Sequence, residues 1–247
     1  MVGGVRVLGT GAGNGAWPVR LRDGRVGLRP ITRRDAHDWF EVRSRNAAWL
    51  RPWEATAPGG STETPRTYRA MVGDLLAQAR HERSLPFVVT FDDRLVGQLT
   101  VSGITYGSAR WGQIGYWVDG AVAGRGITPT AVALVADHCF GPVGLHRLEV
   151  NIRPENRASL RVVEKLGFRE EGLRPRFLHI DGAWRDHLGF SLLAEDVPGG
   201  LLARWHERQQ ELARQARDLG AGPAAPRHLA DAAGRRLTTE ESADTPV

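Results

Sequence analysis

The sequence predicts a mixed α/β fold: a single, mostly antiparallel sheet of about seven strands flanked by helices, with a C-terminal helical extension. Three observations predict it. Strand-like and helix-like apolar patterns follow one another as strand, two helices, three strands, helix, strand, helix, two strands. Asp92-Asp93 and Asp181-Gly182 each separate two strand-like runs and predict hairpin turns. A glycine-rich turn, Gly124-Arg125-Gly126, joins a predicted strand to a predicted helix.

The first half of the chain supplies one strand, two helices and three strands. Residues 26–30 have a strand pattern, and the capping-box pattern from Thr32 to Asp35 predicts a helix that continues to about Arg45. Thr64 and Pro65 are typical of the N-cap and first position of a second helix. The three strands are predicted at 86–91, 94–105 and 111–118.

The second half supplies the remaining elements. Helices are predicted at 127–140 and 156–166, and Gly167 is typical of the residue that ends a helix. Strands are predicted at 147–152, 177–180 and 183–193, with a further strand start at 168–171. Residues 201–219 have the pattern of an amphipathic helix.

Size and composition exclude several classes of protein. The chain has 247 residues, 41% of them hydrophobic and 25% charged, as in a soluble globular protein. No apolar run approaches the roughly 18 residues that a membrane-spanning helix needs. The glycine-rich N-terminus is unlike a signal peptide, so we expect a cytoplasmic protein. The single cysteine, Cys139, excludes an internal disulfide and a multi-cysteine metal site.

The formal net charge is +5, and all but one of the basic residues are arginines. This excess favours anionic partners such as a nucleotide or ribosomal RNA. A solvated, arginine-rich surface is the simpler explanation of the excess, because net charge indicates partners only weakly.

The turn Gly124-Arg125-Gly126 is the first candidate binding feature. Glycines allow main-chain N–H groups to approach an anion closely, and the helix that follows adds unpaired donors and a partial positive charge. Together they predict a pyrophosphate site. A plain tight turn is the alternative, and the turn lacks the Lys-Ser/Thr ending of a P-loop.

Two longer runs extend this pattern. They are IGYWVDGAVAGRGITPTAVAL (114–134) and HRLEVNIRPENRASLRVVEKLGFREEG (146–172). Together they resemble the GNAT acetyltransferase superfamily. The runs LRPWE (50–54) and DGAWRDHLGFSLL (181–193) resemble the RimJ-type members of its RimJ/RimL-type branch, which acetylate the N-terminal alanine of a ribosomal protein.

The resemblance implies a division of the chain and a cosubstrate. Residues 18–198 would form the acetyltransferase domain. Outside the resemblance, composition predicts a flexible arm at 1–17 and a disordered tail at 221–247, and the amphipathic pattern predicts a helix at 199–220. Acetyl-CoA would be the cosubstrate, and no metal would be needed. The resemblance assigns the binding of acetyl-CoA to Tyr116, Trp117, Val118, Gly124, Arg125, Gly126, Ile127, Thr128, Asn156 and Ser159. It also implies that the Val118 N–H donates a hydrogen bond to the oxyanion formed during transfer.

The resemblance also implies an acid for the leaving thiolate. Many members carry a tyrosine where this chain has Val163, whereas the RimJ/RimL-type pattern offers Ser159. Ser159 lies three residues after Asn156, on one helical face, and its hydroxyl could donate to the sulfur. A helix serine with only a packing role is the alternative. Ala121 stands where the turn usually begins with Arg or Gln.

The sequence offers two candidates for the general base and four candidate residues for the acceptor site. Glu54 and Glu149 are the candidates for accepting the amine proton, and either carboxylate could instead be satisfied by an arginine or histidine. Trp53 and Glu54 could lie at the acceptor mouth, and Arg174 and Arg176 could line an acceptor groove.

Three functions remain at this point. The first is direct acetyl transfer to a protein N-terminal alanine, with possible contact to ribosomal RNA and with a monomer or homodimer as the oligomeric state. The second is acetylation of a small amine such as an antibiotic or polyamine. The third is a non-catalytic ribosome-assembly or RNA-binding factor. A covalent acetyl-cysteine is not expected, since Cys139 lies in a predicted apolar helix.

Overall fold

The computed structural model describes residues 17–59 and 67–218. Within them the chain forms eight strands: β1 (Leu21–Asp23), β2 (Val26–Pro30), β3 (Ser84–Phe91), β4 (Arg94–Thr105), β5 (Trp111–Val118), β6 (Arg147–Ile152), β7 (Arg169–Ile180) and β8 (Ala183–Leu193). The same residues form six α-helices: α1 (Ala36–Arg45), α2 (Ala47–Leu50), α3 (Tyr68–Arg80), α4 (Ile127–Phe140), α5 (Arg157–Leu166) and α6 (Leu201–Asp218). Short 3₁₀ turns cover Arg33–Asp35, Arg51–Trp53, Gly120–Val122 and Ala194–Asp196.

The strands form one sheet in the order β1-β2-β3-β4-β5-β6-β8-β7, and only β5 and β6 pair in parallel. The mixed, mostly antiparallel fold is therefore confirmed. The expected strand number of about seven is corrected to eight, because β1 pairs with β2 through Leu21 and Leu28. Its three residues are too few to produce a readable alternation of apolar and polar side chains.

Both predicted hairpin turns are confirmed by their backbone angles. Asp92 and Asp93 have φ of 49° and 64°, and Asp181 and Gly182 have φ of 47° and 76°. Two successive positive φ angles match the twist of the flanking strands. Asp tolerates this region better than most residues, which explains the Asp-Asp turn.

One helix start differs from the expectation. Helix α3 begins at Tyr68, and its N-cap is Thr67, whose side chain accepts a hydrogen bond from the Ala70 N–H at 3.2 Å. The expected cap at Thr64 and Pro65 lies outside the described residues. So do residues 1–16 of the expected arm and all of the expected tail.

Helices cover both faces of the sheet over two separate apolar cores. The larger core lies under α4, α5 and the start of α6, and includes Leu148, Val163 and Trp205. The smaller one lies under α1 and α3, and includes Val42 and Val72. Side chains along β5 alternate between the two, so that Tyr116 packs against the first core and Trp117 against the second.

The sheet opens between β5 and β6. The parallel pairing covers only Trp111 to Gln113 on β5, opposite Arg147 to Glu149 on β6. Beyond Gln113, β5 stays paired with β4 as far as Val118, whereas β6 stays paired with β8 as far as Ile152. The register shift beside Val96 leaves that residue as a bulge in β4, and bulges increase local twist. The gap between the two strands positions the site described below.

The chain divides into two compact units, Met1–Arg208 and Gln209–Val247. All site residues discussed below belong to the first. No helix among residues 17–59 and 67–218 is long and apolar enough to cross a membrane.

Candidate functional site

A cleft of about 860 Å³ lies where β5 and β6 separate. Its walls come from the segment between α1 and residue 55, the end of β5, the start of α4, and α5. The lining residues include Arg43, Trp49, Trp53, Glu54, Tyr116, Trp117, Val118, Gly124, Gly126, Ile127, Thr128, Asn156, Ser159, Arg161 and Lys165. Most of the residues that the resemblance assigns to acetyl-CoA binding therefore line this one cleft.

The glycine turn opens directly onto this cleft. Gly124 and Gly126 have φ of 82° and 78°, a region that glycine occupies without strain. Gly126 is the N-cap of α4, and no side chain caps the helix there. The first N–H groups of α4 are thus available to an anion, assisted by the helix dipole. Arg125 is exposed and does not line the cleft.

A buried carboxylate network holds the segment that leads into the turn. Asp119 is 3% exposed, and its Oδ2 accepts from the Arg45 Nη2 at 2.7 Å. Its Oδ1 accepts from the Asn46 side chain at 2.8 Å and from the Ala121 N–H at 3.0 Å. Asn46 in turn accepts from the Gly120 N–H at 2.9 Å. These bonds fix the end of β5 to α1.

The network determines how Asp119 titrates. Burial alone would raise the pKa of this carboxyl, but the hydrogen bonds from Arg45, Asn46 and Ala121 outweigh it and lower the pKa below the usual value. A lowered pKa in the folded state means that the carboxylate stabilises the fold fully above the pKa of the unfolded chain. This stabilisation is lost as the pH falls through the folded-state pKa.

We expect Asp119→Asn to lower the free energy of unfolding by about 2–3 kcal/mol at pH 7, the range for hydrogen bonds to a charged group. The difference from the wild type should shrink as the pH falls below about 4, where the unfolded carboxyl is protonated. Urea denaturation at pH 7 and pH 3 measures it. Asp93→Asn is the control, since its ion pair with Arg22 is exposed and should contribute little to stability. A pH-independent difference would contradict this account.

The start of α6 packs against α4 and the glycine turn. The Asp137 carboxylate on α4 accepts from the Leu201 N–H at 2.6 Å and the Leu202 N–H at 3.1 Å, and so caps α6. Trp205 is 4% exposed, and its indole N–H donates to the Thr130 hydroxyl at 3.0 Å. The same ring lies 3.8 Å from the position that a Cβ on Gly126 would occupy. The C-terminal helix therefore packs directly behind the glycine turn.

The end of β5 presents a main-chain donor to the gap. The Asp119 N–H donates to the Val96 carbonyl on β4 at 2.8 Å. Because N–H directions alternate along a strand, the Val118 N–H points the other way, towards the space between β5 and β6. Val118 also lines the cleft. This is the orientation that an oxyanion donor requires.

Two hydroxyl groups meet across the same gap. The Tyr116 hydroxyl and the Ser159 Oγ are 2.7 Å apart, and both residues line the cleft. Burial raises the pKa of Tyr116 to about 12, against a smaller opposing effect of the Ser159 hydrogen bond. Tyr116 is therefore a neutral phenol at physiological pH, with one proton to donate.

Asn156 is the N-cap of α5. Its Oδ1 accepts from the Ser159 N–H at 3.1 Å. Asn156 also lines the cleft. Because an N-cap uses only the oxygen, the amide donors stay available for a ligand. Val163 is fully buried in the core and takes no part in the site.

The two candidate bases lie in different surroundings. Glu54 lines the cleft, and its Oε1 accepts from the Arg43 guanidinium. Glu149 does not line the cleft, and Arg147 and Arg174 donate to its two oxygens at 2.8 Å and 3.1 Å. The geometry therefore favours Glu54, which keeps one oxygen without an arginine among the described residues. The catalytic role of either stays a prediction.

The expected acceptor residues are only partly brought together. Trp53 lines the cleft, and the Arg153 guanidinium stacks over its ring at 5.4 Å while donating to the Pro52 carbonyl at 2.7 Å. Arg174 and Arg176 lie on β7 outside the lining. The Arg176 N–H donates to the Asp186 carboxylate at 2.7 Å.

Sequence reasoning missed several residues of this site. Arg43 bonds Glu54 and lies 5.0 Å and 5.3 Å from the centres of the Trp39 and Trp117 rings. No local pattern could reveal that contact, because its members come from different elements. The cations Arg157, Arg161 and Lys165 on α5 also line the cleft, and their four-residue spacing was readable.

The structure also bears on covalent catalysis by Cys139 and on metal binding. Cys139 is fully buried in α4, where burial raises the pKa of its thiol, and it does not line the cleft. Within residues 17–59 and 67–218, no three His, Cys, Asp or Glu side chains are grouped so that they could hold a metal ion. That no metal is needed stays a prediction.

Comparisons with known proteins agree with this geometry. The sequence profile described as "Acetyltransferase (GNAT) domain" matches residues 25–169. A solved structure, Mycobacterium smegmatis RimJ in complex with CoA-disulfide, is 40% identical and covers 78% of this chain and 96% of its own, with a TM-score of 0.74. The Escherichia coli [ribosomal protein uS5]-alanine N-acetyltransferase is 28% identical over 185 residues, which are 73% of this chain and 94% of that enzyme.

A Bacillus subtilis relative, described as a probable N-acetyltransferase, is 41% identical over 105 residues. This match covers 42% of the present chain and 58% of that relative. The chain therefore matches less than two thirds of the length of this relative, in contrast to the two proteins above.

Proposed function

Because the chain belongs to the GNAT acetyltransferase family and is thus an acetyl-CoA-dependent acyltransferase, we propose that its acceptor is the N-terminal α-amine of a protein, of the ribosomal-protein alanine type. The observation that carries this proposal is the convergence of the glycine turn, the Val118 N–H and the Tyr116–Ser159 pair on one cleft. The RimJ-type relatives supply the acceptor class.

The proposed reaction is direct transfer in a ternary complex. The neutral amine attacks the thioester carbonyl, so that a C–N bond forms and the carbonyl oxygen becomes an oxyanion. The Val118 N–H would stabilise that oxyanion, an effect that typically amounts to several kcal/mol. The C–S bond then breaks, and the departing thiolate takes the Ser159 hydroxyl proton, while the newly bonded nitrogen releases its surplus proton through water to restore the Ser159 hydroxyl. The products are the acetylated amine and coenzyme A.

The acceptor amine must lose its proton. An α-amine has a pKa of about 7.7–8.0, so its neutral form costs only about 1 kcal/mol at pH 7, whereas a lysine amine at about 10.4 costs over 4 kcal/mol. A modest carboxylate is therefore sufficient for an α-amine. Glu54 fits this role: it lies at the cleft beside Trp53, and Arg43 holds one of its oxygens.

We expect Glu54→Gln to lower kcat/KM for the acceptor about 100-fold at pH 7, the low end of the usual range for a general base. The defect should shrink at pH 9, where the α-amine is already neutral. Steady-state kinetics across this pH range measure it. Glu164→Gln on α5 is the matched control, because its side chain lies outside the cleft. A defect of equal size at every pH would exclude a proton-accepting role.

The acceptor class is tested with labelled acetyl-CoA and three acceptors: a peptide with an N-terminal alanine from a ribosomal protein, the same peptide with a blocked N-terminus, and spermidine. Mass spectrometry locates the label. Transfer to the free peptide alone supports the proposal. Transfer to spermidine alone would replace the acceptor with a small amine. Acetyl-CoA binding without any transfer, together with steeply salt-dependent RNA binding, would favour the non-catalytic alternative.

The remaining assignments rest on the same relatives. We propose that residues 18–198 are the catalytic domain and that α6 belongs to a C-terminal extension of it. A ribosomal protein as partner, contact with ribosomal RNA, a monomeric or homodimeric state and a cytoplasmic location stay predictions.

A further inference from the structure

The segment that carries Glu54 pairs with the tip of the β7–β8 hairpin (residues 179–184). The Thr56 N–H donates to the His179 carbonyl at 2.9 Å, and the Asp181 N–H donates to the Glu54 carbonyl at 3.0 Å. These two bonds flank an isolated antiparallel bridge. Because β7 is the last strand of the sheet, its outer edge is free for this pairing, and the segment extends the sheet by one short strand.

Side-chain hydrogen bonds strengthen the pairing. The His179 Nδ1 lies 3.0 Å from the Thr56 carbonyl oxygen and 2.8 Å from the Thr56 hydroxyl. Because a carbonyl oxygen can only accept, Nδ1 carries the imidazole hydrogen. The Thr56 hydroxyl also accepts from the Gly182 N–H at 3.1 Å. Trp184 packs nearly perpendicular to the imidazole, with the ring centres 5.5 Å apart. Thr56 is therefore bonded through its N–H, its carbonyl and its hydroxyl.

The turn of the hairpin supplies donors that the hairpin itself does not use. Ile180 and Ala183 are paired across the turn, so the N–H groups of Asp181 and Gly182 point away from the ladder. Such exposed groups can bond water. Here both donate to residues 54–56, one to a carbonyl and one to a hydroxyl.

Burial does not hold this segment in place. Leu50 and Tyr68 lie before and after it, and each is 5% exposed. Between them, no described residue from 51 to 59 is buried. Hydrogen bonds therefore define where the Glu54 main chain lies.

Glu54 lies between two such anchors. On its N-terminal side, the Arg153 guanidinium donates to the Pro52 carbonyl at 2.7 Å. On its C-terminal side are the bonds to the hairpin tip. The Glu54 carboxylate itself accepts from Arg43 and lines the cleft. A displacement of about 1 Å at a reacting group can lower a rate about 100-fold, so the second anchor should control how well this carboxylate reaches the acceptor.

We infer that Thr56 and His179 are positioning residues: they hold residues 54–56 against the hairpin tip and so aim the Glu54 carboxylate at the acceptor amine. This inference rests on the proposed function, with Glu54 as the base. It adds that the β7–β8 hairpin contributes to the reaction although its tip does not line the cleft. Substitution of Thr56 or His179 should therefore leave cosubstrate binding unchanged.

The test measures kcat/KM for a peptide with an N-terminal alanine. His179→Ala and Thr56→Val should each lower it about 10-fold at pH 7, because the base is displaced and not removed. The defect should shrink at pH 9, as for Glu54→Gln, since the α-amine is then neutral. His179→Asn keeps an N–H near the position of Nδ1, and Thr56→Ser keeps the hydroxyl, so both should restore most of the rate. Calorimetry should show that all four variants bind coenzyme A as tightly as the wild type.

A double-mutant cycle separates positioning from a merely structural role. In a Glu54→Gln background, His179→Ala should cost no more than about 2-fold in kcat/KM, because both substitutions act through one carboxylate. Asp186→Ala is the matched control on the same hairpin. Its carboxylate accepts from the Arg176 N–H at 2.7 Å, and none of its hydrogen bonds among the described residues goes to residues 54–56. This variant should keep the wild-type kcat/KM.

The outcomes distinguish the inference from the proposed function. Wild-type activity of His179→Ala and Thr56→Val beside an impaired Glu54→Gln would overturn the positioning role and leave the base in place. Losses that add fully to that of Glu54→Gln, or an equal loss in Asp186→Ala, would also overturn it. Full activity of Glu54→Gln would overturn the base and the inference together. Absence of any transfer by the wild type would overturn the proposed function itself.

Discussion

Replacing Gly97 by alanine should both destabilise the fold and abolish most of the activity. Gly97 lies on β4 directly opposite Val118. A Cβ there would lie 2.3 Å from the Trp117 carbonyl oxygen and 3.1 Å from the Val118 Cα. Both are main-chain atoms, so the clash can be relieved only by moving β5 away from β4.

The expected loss of unfolding free energy is about 1–3 kcal/mol, the usual range for overpacking. Turnover should fall about 100-fold, because moving the Val118 N–H removes a donor aimed at the oxyanion. Chemical denaturation and steady-state kinetics measure the two effects. Gly115→Ala on β5 is the control for stability, since a Cβ there meets nothing within 4 Å. An unchanged stability of the Gly97 variant would show that β4 and β5 are not this close.

The second large effect should come from the hydroxyl pair. Ser159→Ala should lower kcat about 100-fold, within the usual range for an acid catalyst, and leave the affinity for acetyl-CoA nearly unchanged. Ser159 can give its proton to the thiolate only if it accepts a hydrogen bond from Tyr116, which is 2.7 Å away. The raised pKa of Tyr116, about 12, keeps that phenol protonated.

We therefore expect Tyr116→Phe to lower kcat as well, by about 10-fold, and the double variant to be no slower than Ser159→Ala, because residues of one hydrogen-bond chain act as a unit. An acetyl thioester with a more acidic thiol should restore much of the lost rate, since its leaving group needs less help. Unchanged turnover of Ser159→Ala would exclude it as the acid. Additive effects would mean that Tyr116 acts independently of Ser159.

The parts of the molecule that follow local rules were predictable from sequence. The turn at Gly124 and Gly126, the cap at Asn156 and the hairpin at Asp181 each depend on neighbouring residues, and the structure has all three. The cleft lining could be named because the resemblance covers two runs that flank the gap. The spacing of the α5 cations was equally local.

The rest depends on contacts between distant segments. Asp119 meets Arg45 across 74 positions, and Asp137 meets Leu201 across 64. No period or motif in one segment encodes its partner in another. For the same reason the sequence could not choose between Glu54 and Glu149, which differ in their position relative to the cleft and in their arginine partners.

The capping of α6 by Asp137 has a consequence for where the chain can be cut. The family profile ends at residue 169, and a boundary at 198 would satisfy the sequence pattern. A protein truncated there would leave the Asp137 carboxylate half-buried without its two amide donors, and Thr130 without its indole. The smallest autonomously folding unit therefore reaches at least Trp205, and an expression tag or fusion partner is best attached beyond it.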